Sequence, residues 1–494
     1  MQVNVSEDIA SLLRQRVPLI ALETEQENHA LELLKRQCQL LGHTLYRWSL
    51  TDGLDTLGYG PMVAKPGAEL EPEALLQAIK DRNHDGIYVL CDFHPHWEGE
   101  PKIVRLLKDI ALNFEVLQKR IVLLSHALKI PPELQVFTAQ ASLSLPSQDE
   151  ILAIVRQEAK RYAESRGQQR IRTDSAALRQ LVSSLGGLTH KDVARLAWHA
   201  IADDGAITRE DLPEVNSAKF ALLNRQGLLS YEYDTEEFAN VGGLPNFKHW
   251  LQQRKEAFSG ADKRGLQPPR GVLLLGVQGG GKSLAAKAVA GMWQLPLLRL
   301  DMGSLYNKFI GETEKNLRES LQQAESMSPC VLWLDELEKA LAQGGGDDGL
   351  NKRLLGYFLT WMAERKSQVF LVATSNDIQQ LPAELVRKGR FDEIFFVDLP
   401  DTDVRRQIFE IHLRKRDAYS ESLHLARLAE AAEGFSGAEI EQAVVSALYM
   451  LAEGEQLGSD HLLRAILQTT PLSVVMAEQL HALRSWAEGR TVAA

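Results

Sequence analysis

Gly279, Gly280 and Gly281 precede Lys282 and Ser283 at the end of an apolar run, Gly271-Val272-Leu273-Leu274-Leu275-Gly276. From Gly276 to Ser283 the spacing satisfies G-x-x-x-x-G-K-[ST] in full. Glycines let backbone N–H groups turn inward around a β-phosphate. Lys282 can reach the β/γ oxygens, and the Ser283 hydroxyl suits Mg²⁺. A helix opening here, with Leu284 in its first turn, adds its positive N-terminal end. Downstream, the apolar run Cys330-Val331-Leu332-Trp333-Leu334 ends in Asp335-Glu336. Buried parallel strands read as continuous apolar runs, and their carboxyl ends are where α/β sheets bind ligands. Asp335 placed there can hold Mg²⁺ through water, and Glu336 can take a proton from an attacking water. A third run, Val369 to Thr374, ends at Ser375-Asn376. The Asn376 amide can orient the lytic water or touch a γ-phosphate; a turn or helix cap is the competing reading. Arg387 and Arg390 flank Gly389. Such a pair suits a phosphate supplied by a neighbouring subunit, or else a pair of surface salt bridges. The chemistry expected is hydrolysis of a nucleoside triphosphate with Mg²⁺.

These groups need a parallel sheet to bring them together. A fourth strand, Ile394 to Leu399, completes it, and a helical region follows to about residue 465. The fold class expected is α/β: a P-loop sheet (236–400) with a helical lid (401–465), a linker helix over 206–235 and a C-terminal helix over 466–494. The first half repeats the order of signals. Val17 to Leu22, Ile87 to Asp92, Arg120 to Ser125 and Ala141 to Leu145 stand where the four strands would be. Glu23-Thr24-Glu25-Gln26-Glu27-Asn28 replaces the phosphate loop with carboxylates, which repel phosphate. Phe93 stands where the glutamate would be, and no arginine pair follows. Residues 1–205 are therefore expected to be a degenerate ATPase-like α/β domain with a small lid; a generic α/β domain is the alternative. Asp92, His94 and His96 share a loop with Pro95 and Trp97 and lack a further ligand pattern, so a metal site is not expected.

The 494 residues allow about three domains at ~150 residues each. A net charge of −11 argues against a dedicated nucleic-acid binder. Three cysteines make neither a disulfide framework nor a zinc cluster. No run reaches 18 apolar residues, so membrane insertion is not expected. The N-terminus lacks a basic region before an apolar stretch, so no signal peptide is expected and a cytoplasmic location is the default.

Residues 236–465 resemble an AAA ATPase module of the classical clade. Phe238-Ala239-Asn240-Val241-Gly242-Gly243-Leu244 resembles its adenine-side segment, which would place Val241 and Gly242 on the base. Ile411-His412 resembles the pair whose histidine faces the ribose. Gly434-Phe435-Ser436-Gly437-Ala438-Glu439-Ile440 resembles the lid motif, with Gly437 and Ala438 on the nucleotide. Lys308, Phe309 and Ile310 resemble the first pore loop. The loop at 276–283 departs from the commonest form, which carries two prolines and a final threonine; Ser283 keeps the hydroxyl. Lys388 stands where many relatives have proline. With the inactive first half, Trp250-Leu251 and the Thr470-Pro471-Leu472-Ser473 tail, the whole chain resembles the AAA subgroup typified by an open reading frame of plastids and cyanobacteria. The resemblance implies a homo-oligomer, usually a hexamer, with ATP between subunits and Phe309 gripping a protein client or one brought by an adaptor. It also leaves open a nucleotide-gated scaffold with slow turnover.

Overall fold

The computed structural model describes residues 5–57, 71–81, 85–143, 145–166, 171–224, 228–233, 241–259, 265–305, 312–341, 348–378, 380–387, 389–452 and 455–494. Contacts divide the chain into two units, one of Met1–Pro146 with Thr189–Lys191, the other of Ser147–Leu188 with Asp192–Ala494.

In the first unit the strands are β1 (Leu19–Glu23), β2 (Leu45–Ser49), β3 (Gly53–Thr56), β4 (Gly86–Cys91), β5 (Lys119–Ser125) and β6 (Thr138–Ser142). They form one sheet in the order β3-β2-β4-β5-β1-β6, parallel except for β3 against β2. β4 and β5 are buried along their whole length, as a strand covered on both faces requires. Two cations at the start of β5 close helix ends. The Lys119 ammonium donates to the Ile79 and Lys80 carbonyls, and the Arg120 guanidinium to those of Leu13, Gln15 and Val17. Ile79, Lys80 and Leu13 lie at the ends of the helices Pro72–Asp81 and Val5–Arg14, where carbonyls lack intrahelical partners, and Gln15 and Val17 follow in the segment after the second.

The second unit begins with helices Gln148–Ser165, Ser175–Ser184, His190–Ala202 (from Asp192 on) and Leu212–Leu223, accompanied by the short pair β7 (Arg172–Thr173) and β8 (Ala206–Ile207). Its main strands are β9 (Leu229–Glu232), β10 (Gly271–Gly276), β11 (Leu297–Asp301), β12 (Cys330–Asp335), β13 (Val369–Ser375), β14 (Glu393–Val397) and β15 (Val492–Ala493), in the order β15-β14-β10-β13-β12-β11-β9. All neighbours are parallel except β9 against β11. Numbered by chain position, the central five read 5-1-4-3-2 in this sheet (β14-β10-β13-β12-β11) and 5-1-4-3-2 in the first (β6-β1-β5-β4-β2). Each sheet also carries an antiparallel strand outside its second member. The first half thus has the ATPase-like topology expected of it, without the phosphate loop.

One face of the second sheet packs Leu298, Leu300, Leu332 and Leu371 against Leu317, Leu321, Phe358 and Met362. The other packs Val272, Val331 and Phe370 against Ala285, Val289, Trp293, Trp250 and Phe258. Burial of such side chains stabilises by ~25 cal/mol per Å² of apolar surface, so it fixes the helix Lys282–Trp293 across the strand ends. The lid closes its own core around Phe409, Leu428, Phe435, Ile440 and Leu462.

Two segments differ from the sequence reading. The stretch read as a helical linker holds the helix Leu212–Leu223 followed by β9, an edge strand of the ATPase sheet. Leu229, Tyr231 and the facing Leu298 and Leu300 supply an alternation too short to stand out from a helix pattern. The C-terminal segment, read as one helix over 466–494, holds two helices, Leu472–Val475 and Ala477–Ala487, and the strand β15, and it lies on its own sheet. Ala487 is buried in the sheet's core, Arg484 pairs with Asp398, and β15 adds to β14.

Candidate ATP site

β10, β12 and β13 end side by side, and the helix Lys282–Trp293 begins where β10 stops. A cavity of about 350 Å³ lies there. Gly279, Gly280, Gly281, Lys282, Ser283 and Leu284 form one wall. Asp335, Glu336, Thr374 and Asn376 come from the strand ends, and Val241, Gly242 and Leu244 from the preceding segment. The lid contributes Ile408, Ile411, His412, Gly437, Ala438 and Glu441. Gly276 sits one turn behind the wall and offers its carbonyl to Lys282.

Two glycines are required by geometry. A Cβ on Gly276 would lie 2.0 Å from the Val397 carbonyl oxygen, so the strand can turn only without a side chain. Gly281 has φ +96°, a left-handed conformation that other residues adopt at a cost, and it caps the helix Lys282–Trp293. The Gly280 N–H donates to the Val277 carbonyl at 3.2 Å, which tightens the loop; the amides of Gly279 and of residues 281–283 are left to an anion. The lid closes over the loop, with the Ala438 N–H donating to the Gly279 carbonyl at 3.2 Å. The lid helix is set by a capping box between Ser436 and Glu439. Glu439 also accepts from the Leu472 N–H at 2.7 Å, which explains why the Pro471-Leu472-Ser473 tail goes with the lid motif.

Lys282 is buried, and its ammonium donates to the Gly276 and Val277 carbonyls at 2.8 and 2.6 Å. Burial pushes its pKa down to about 8, while the charges of Glu338, Asp335 and Glu336 pull the other way. A phosphate beside Lys282 favours the charged form, so the pKa in the complex stands above that of the free protein. Binding then takes up a proton above pH 8. ATP affinity is accordingly expected to be level below pH 8 and to fall as pH rises beyond it, by up to about tenfold per unit. Kd values for a fluorescent ATP analogue between pH 7 and 9.5 check this; a level profile throughout would contradict it.

Asp335 is held from both sides. Oδ1 accepts from the Thr374 hydroxyl at 2.9 Å and Oδ2 from Arg299 at 2.7 Å. Thr374 Oγ1 in turn accepts from the Glu336 N–H at 3.2 Å. Glu336 itself has φ +51°, an uncommon conformation for a residue other than glycine, and its carboxylate pairs with Lys339. The Asn376 N–H donates to Glu338 at 3.0 Å, which fixes the strand end whose side chain faces the cavity. On the lid side of the cavity His412 lies 3.6 Å from Glu441, which also binds Arg416 at 2.7 Å. Burial would raise the Glu441 carboxyl, but the Arg416 hydrogen bond and the His412 and Arg416 charges hold it below its ordinary value.

Strand ends, loop and lid therefore meet as the spacing required, and the donors fit a nucleotide with Mg²⁺: glycine amides and a lysine for phosphates, a hydroxyl and a carboxylate for the ion. The arginine pair lies elsewhere. Arg390 is tied to the Leu359 carbonyl at 2.9 Å, whereas Arg387 is exposed. Lys308, Phe309 and Ile310 lie outside the described residues, as do Phe238, Ala239, Asn240 and Lys388. Sequence reasoning passed over Thr374, Arg299, Glu338 and Glu441. Arg299 had a signal, as a lone charge within Leu297-Leu298-Arg299-Leu300.

In the first unit the corresponding strand ends are occupied by side chains. Glu23 accepts from the Leu128 N–H at 2.9 Å, and Asp92 accepts from Ser125 at 2.7 Å, a bond that parallels Asp335 with Thr374. Phe93 is buried.

Residues 272–399 match the ATPase family associated with various cellular activities (AAA). Residues 5–141 match the SpoVK-like AAA ATPase N-terminal domain, and residues 149–226 the second domain of the same group. The chain is 34% identical to an uncharacterized AAA domain-containing protein ycf46 of Trieres chinensis, over 98% of this chain and 96% of that protein. It is also 34% identical to that of Pyropia yezoensis, over 99% of both. A cell division cycle protein 48 homolog of Archaeoglobus fulgidus is 33% identical over 48% of this chain and 33% of its own length. With its site, its sheet order and its full-length relatives in agreement, the chain belongs to the AAA ATPases, two SpoVK-like domains preceding one AAA module.

Proposed function

We propose that this ATPase works as a ring, with six subunits the expected number, and uses ATP to pull on a protein client. The observation that carries the reading is the position of Arg387, which is exposed and does not line its own chain's cavity. A guanidinium is suited to the charge that develops on a transferred phosphoryl group. A second copy is the partner that makes Arg387 useful, with Arg390 fixing the loop that carries it.

Within one site Glu336 accepts the proton of the attacking water and Asn376 orients that water. Lys282 and the amides of Gly279 and of residues 281–283 hold the phosphates, and Val241, Gly242, His412, Gly437 and Ala438 hold the nucleoside. Ser283 and Asp335 would hold Mg²⁺, which would neutralise phosphate charge. The carboxylate of Glu336 must leave Lys339 to act, so that ion pair marks a resting arrangement.

The client is expected at Phe309, between Lys308 and Ile310, where an aromatic grips extended polypeptide without regard to its sequence. Phe309→Ala is expected to keep basal ATP hydrolysis near the unmodified rate and to abolish client remodelling. Retained remodelling would turn the reading to a nucleotide-gated scaffold, in which assembly itself is the output. The expected place of action is the cytoplasm, and nucleic acid is not the expected client. No helix among the described residues is long and apolar enough to cross a membrane.

A further inference from the structure

Arg299 points from β11 toward the helix Lys282–Trp293 side of the sheet, where its guanidinium stacks 4.8 Å from the Trp333 ring. From there it spans two carboxylates. One is Asp335, at 2.7 Å; the other is Glu232, at 3.8 Å. Glu232 is the last residue of β9 and also pairs with Lys287 at 3.3 Å. Lys287 lies on the helix that begins at the phosphate loop. The result is an alternating chain, Asp335–Arg299–Glu232–Lys287, that starts on the magnesium-side carboxylate and returns to the P-loop helix through β9.

β9 follows the helical second domain in the chain and is the antiparallel edge strand of the ATPase sheet. It is short, and its side chains beyond Leu229 are partly or fully exposed. A short edge strand of that kind has little buried surface to hold it and is free to respond to a charge at its end.

We propose that Arg299 is a positioning residue that orients Asp335 and couples nucleotide state to β9 through Glu232, so that the second domain's link to the ATPase sheet tightens or loosens with ATP. The proposal rests on the assignment of Asp335 above. Arginine suits the position because its planar fork presents N–H groups to the two carboxylates in fixed directions while its face stacks on Trp333, whereas lysine offers a point charge without that geometry. A charge added next to Asp335 changes how strongly Arg299 is drawn to that residue, and hence how much of it is left for Glu232. A ligand shifts an element only through such a differential interaction.

The test is hydrogen exchange on the full chain carrying Glu336→Gln, with and without Mg–ATP. Protection at Leu229–Glu232 is expected to differ roughly tenfold between the two states. Adding Arg299→Gln should make the two states alike while the loop at 276–284 still gains protection from Mg–ATP. Adding Glu232→Gln, which is farther from the nucleotide, should do the same. In the otherwise unmodified enzyme Arg299→Gln is expected to lower kcat about tenfold with KM for ATP little changed, and Arg299→Lys to restore part of it. If β9 protection ignores Mg–ATP while the loop responds, or if Arg299→Gln leaves the β9 response intact, the coupling is wrong. If the loop fails to respond, the ATP-site assignment falls and the coupling with it.

Discussion

Glu336→Gln is expected to lower ATP turnover by ~10²–10⁴-fold while ATP still binds. The substitution removes the only change Glu336 makes during the reaction, acceptance of a proton, and keeps size and hydrogen-bonding capacity. The geometry argues that little else moves. The position is fixed by its backbone, since the Glu336 N–H donates to Thr374 and the carboxylate bonds only to exposed Lys339 among the described residues. Single-turnover hydrolysis with a parallel equilibrium binding measurement separates the two quantities. Loss of both together would mean that Glu336 holds the nucleotide rather than the water.

Arg387→Ala carries an expected loss of similar size, ~10³-fold or more in turnover, but by a different route. Arg387 lies away from its own cavity, so its removal should damage the next subunit's site and leave its own ATP affinity unchanged. The distinguishing experiment mixes two inactive proteins. In an oligomer of Glu336→Gln and Arg387→Ala subunits, some interfaces join an intact Glu336 to an intact Arg387. Activity is expected to reappear in the mixture although neither protein has it alone. A mixture as inactive as its parts would show that Arg387 does not complete a neighbour's site. Arg390→Ala, by contrast, removes the bond to the Leu359 carbonyl, and its effect should include a loss of stability measured by thermal unfolding.

The catalytic part of the site was legible because its chemistry is confined to strand ends. Gly276 to Ser283, Asp335-Glu336 and Asn376 each close or follow an apolar run, and parallel strands bring those ends together whatever lies between. The lid residues His412, Gly437 and Ala438 carried no such logic in isolation; they became readable through resemblance and now line the same cavity. The repeat in the first half was legible for the same reason as the site. Its apolar runs keep the order of the second half even though the carboxylates from Glu23 on and Phe93 have replaced the chemistry.

Other features depended on tertiary packing. β9 holds four residues and β15 two, lengths at which alternation cannot be told from chance. Both are strands only because a sheet edge was waiting for them. The bonds that orient Asp335 come from Thr374 and Arg299, which are far apart in sequence and meet only when β11, β12 and β13 lie in register. The split between Arg387 and Arg390 was equally invisible, since what separates them is the Leu359 carbonyl on a helix some thirty residues earlier.

The central claim, that ATP held in this cavity drives work on a protein client, is met most directly by a trap. Glu336→Gln, purified with Mg–ATP from a lysate of the source organism, is compared with Lys282→Ala, which should not hold ATP, and with Glu336→Gln carrying Phe309→Ala. A protein retained on the first of these and absent from the other two is the expected result. Partners common to all three, or none on an oligomer that has assembled, would contradict it.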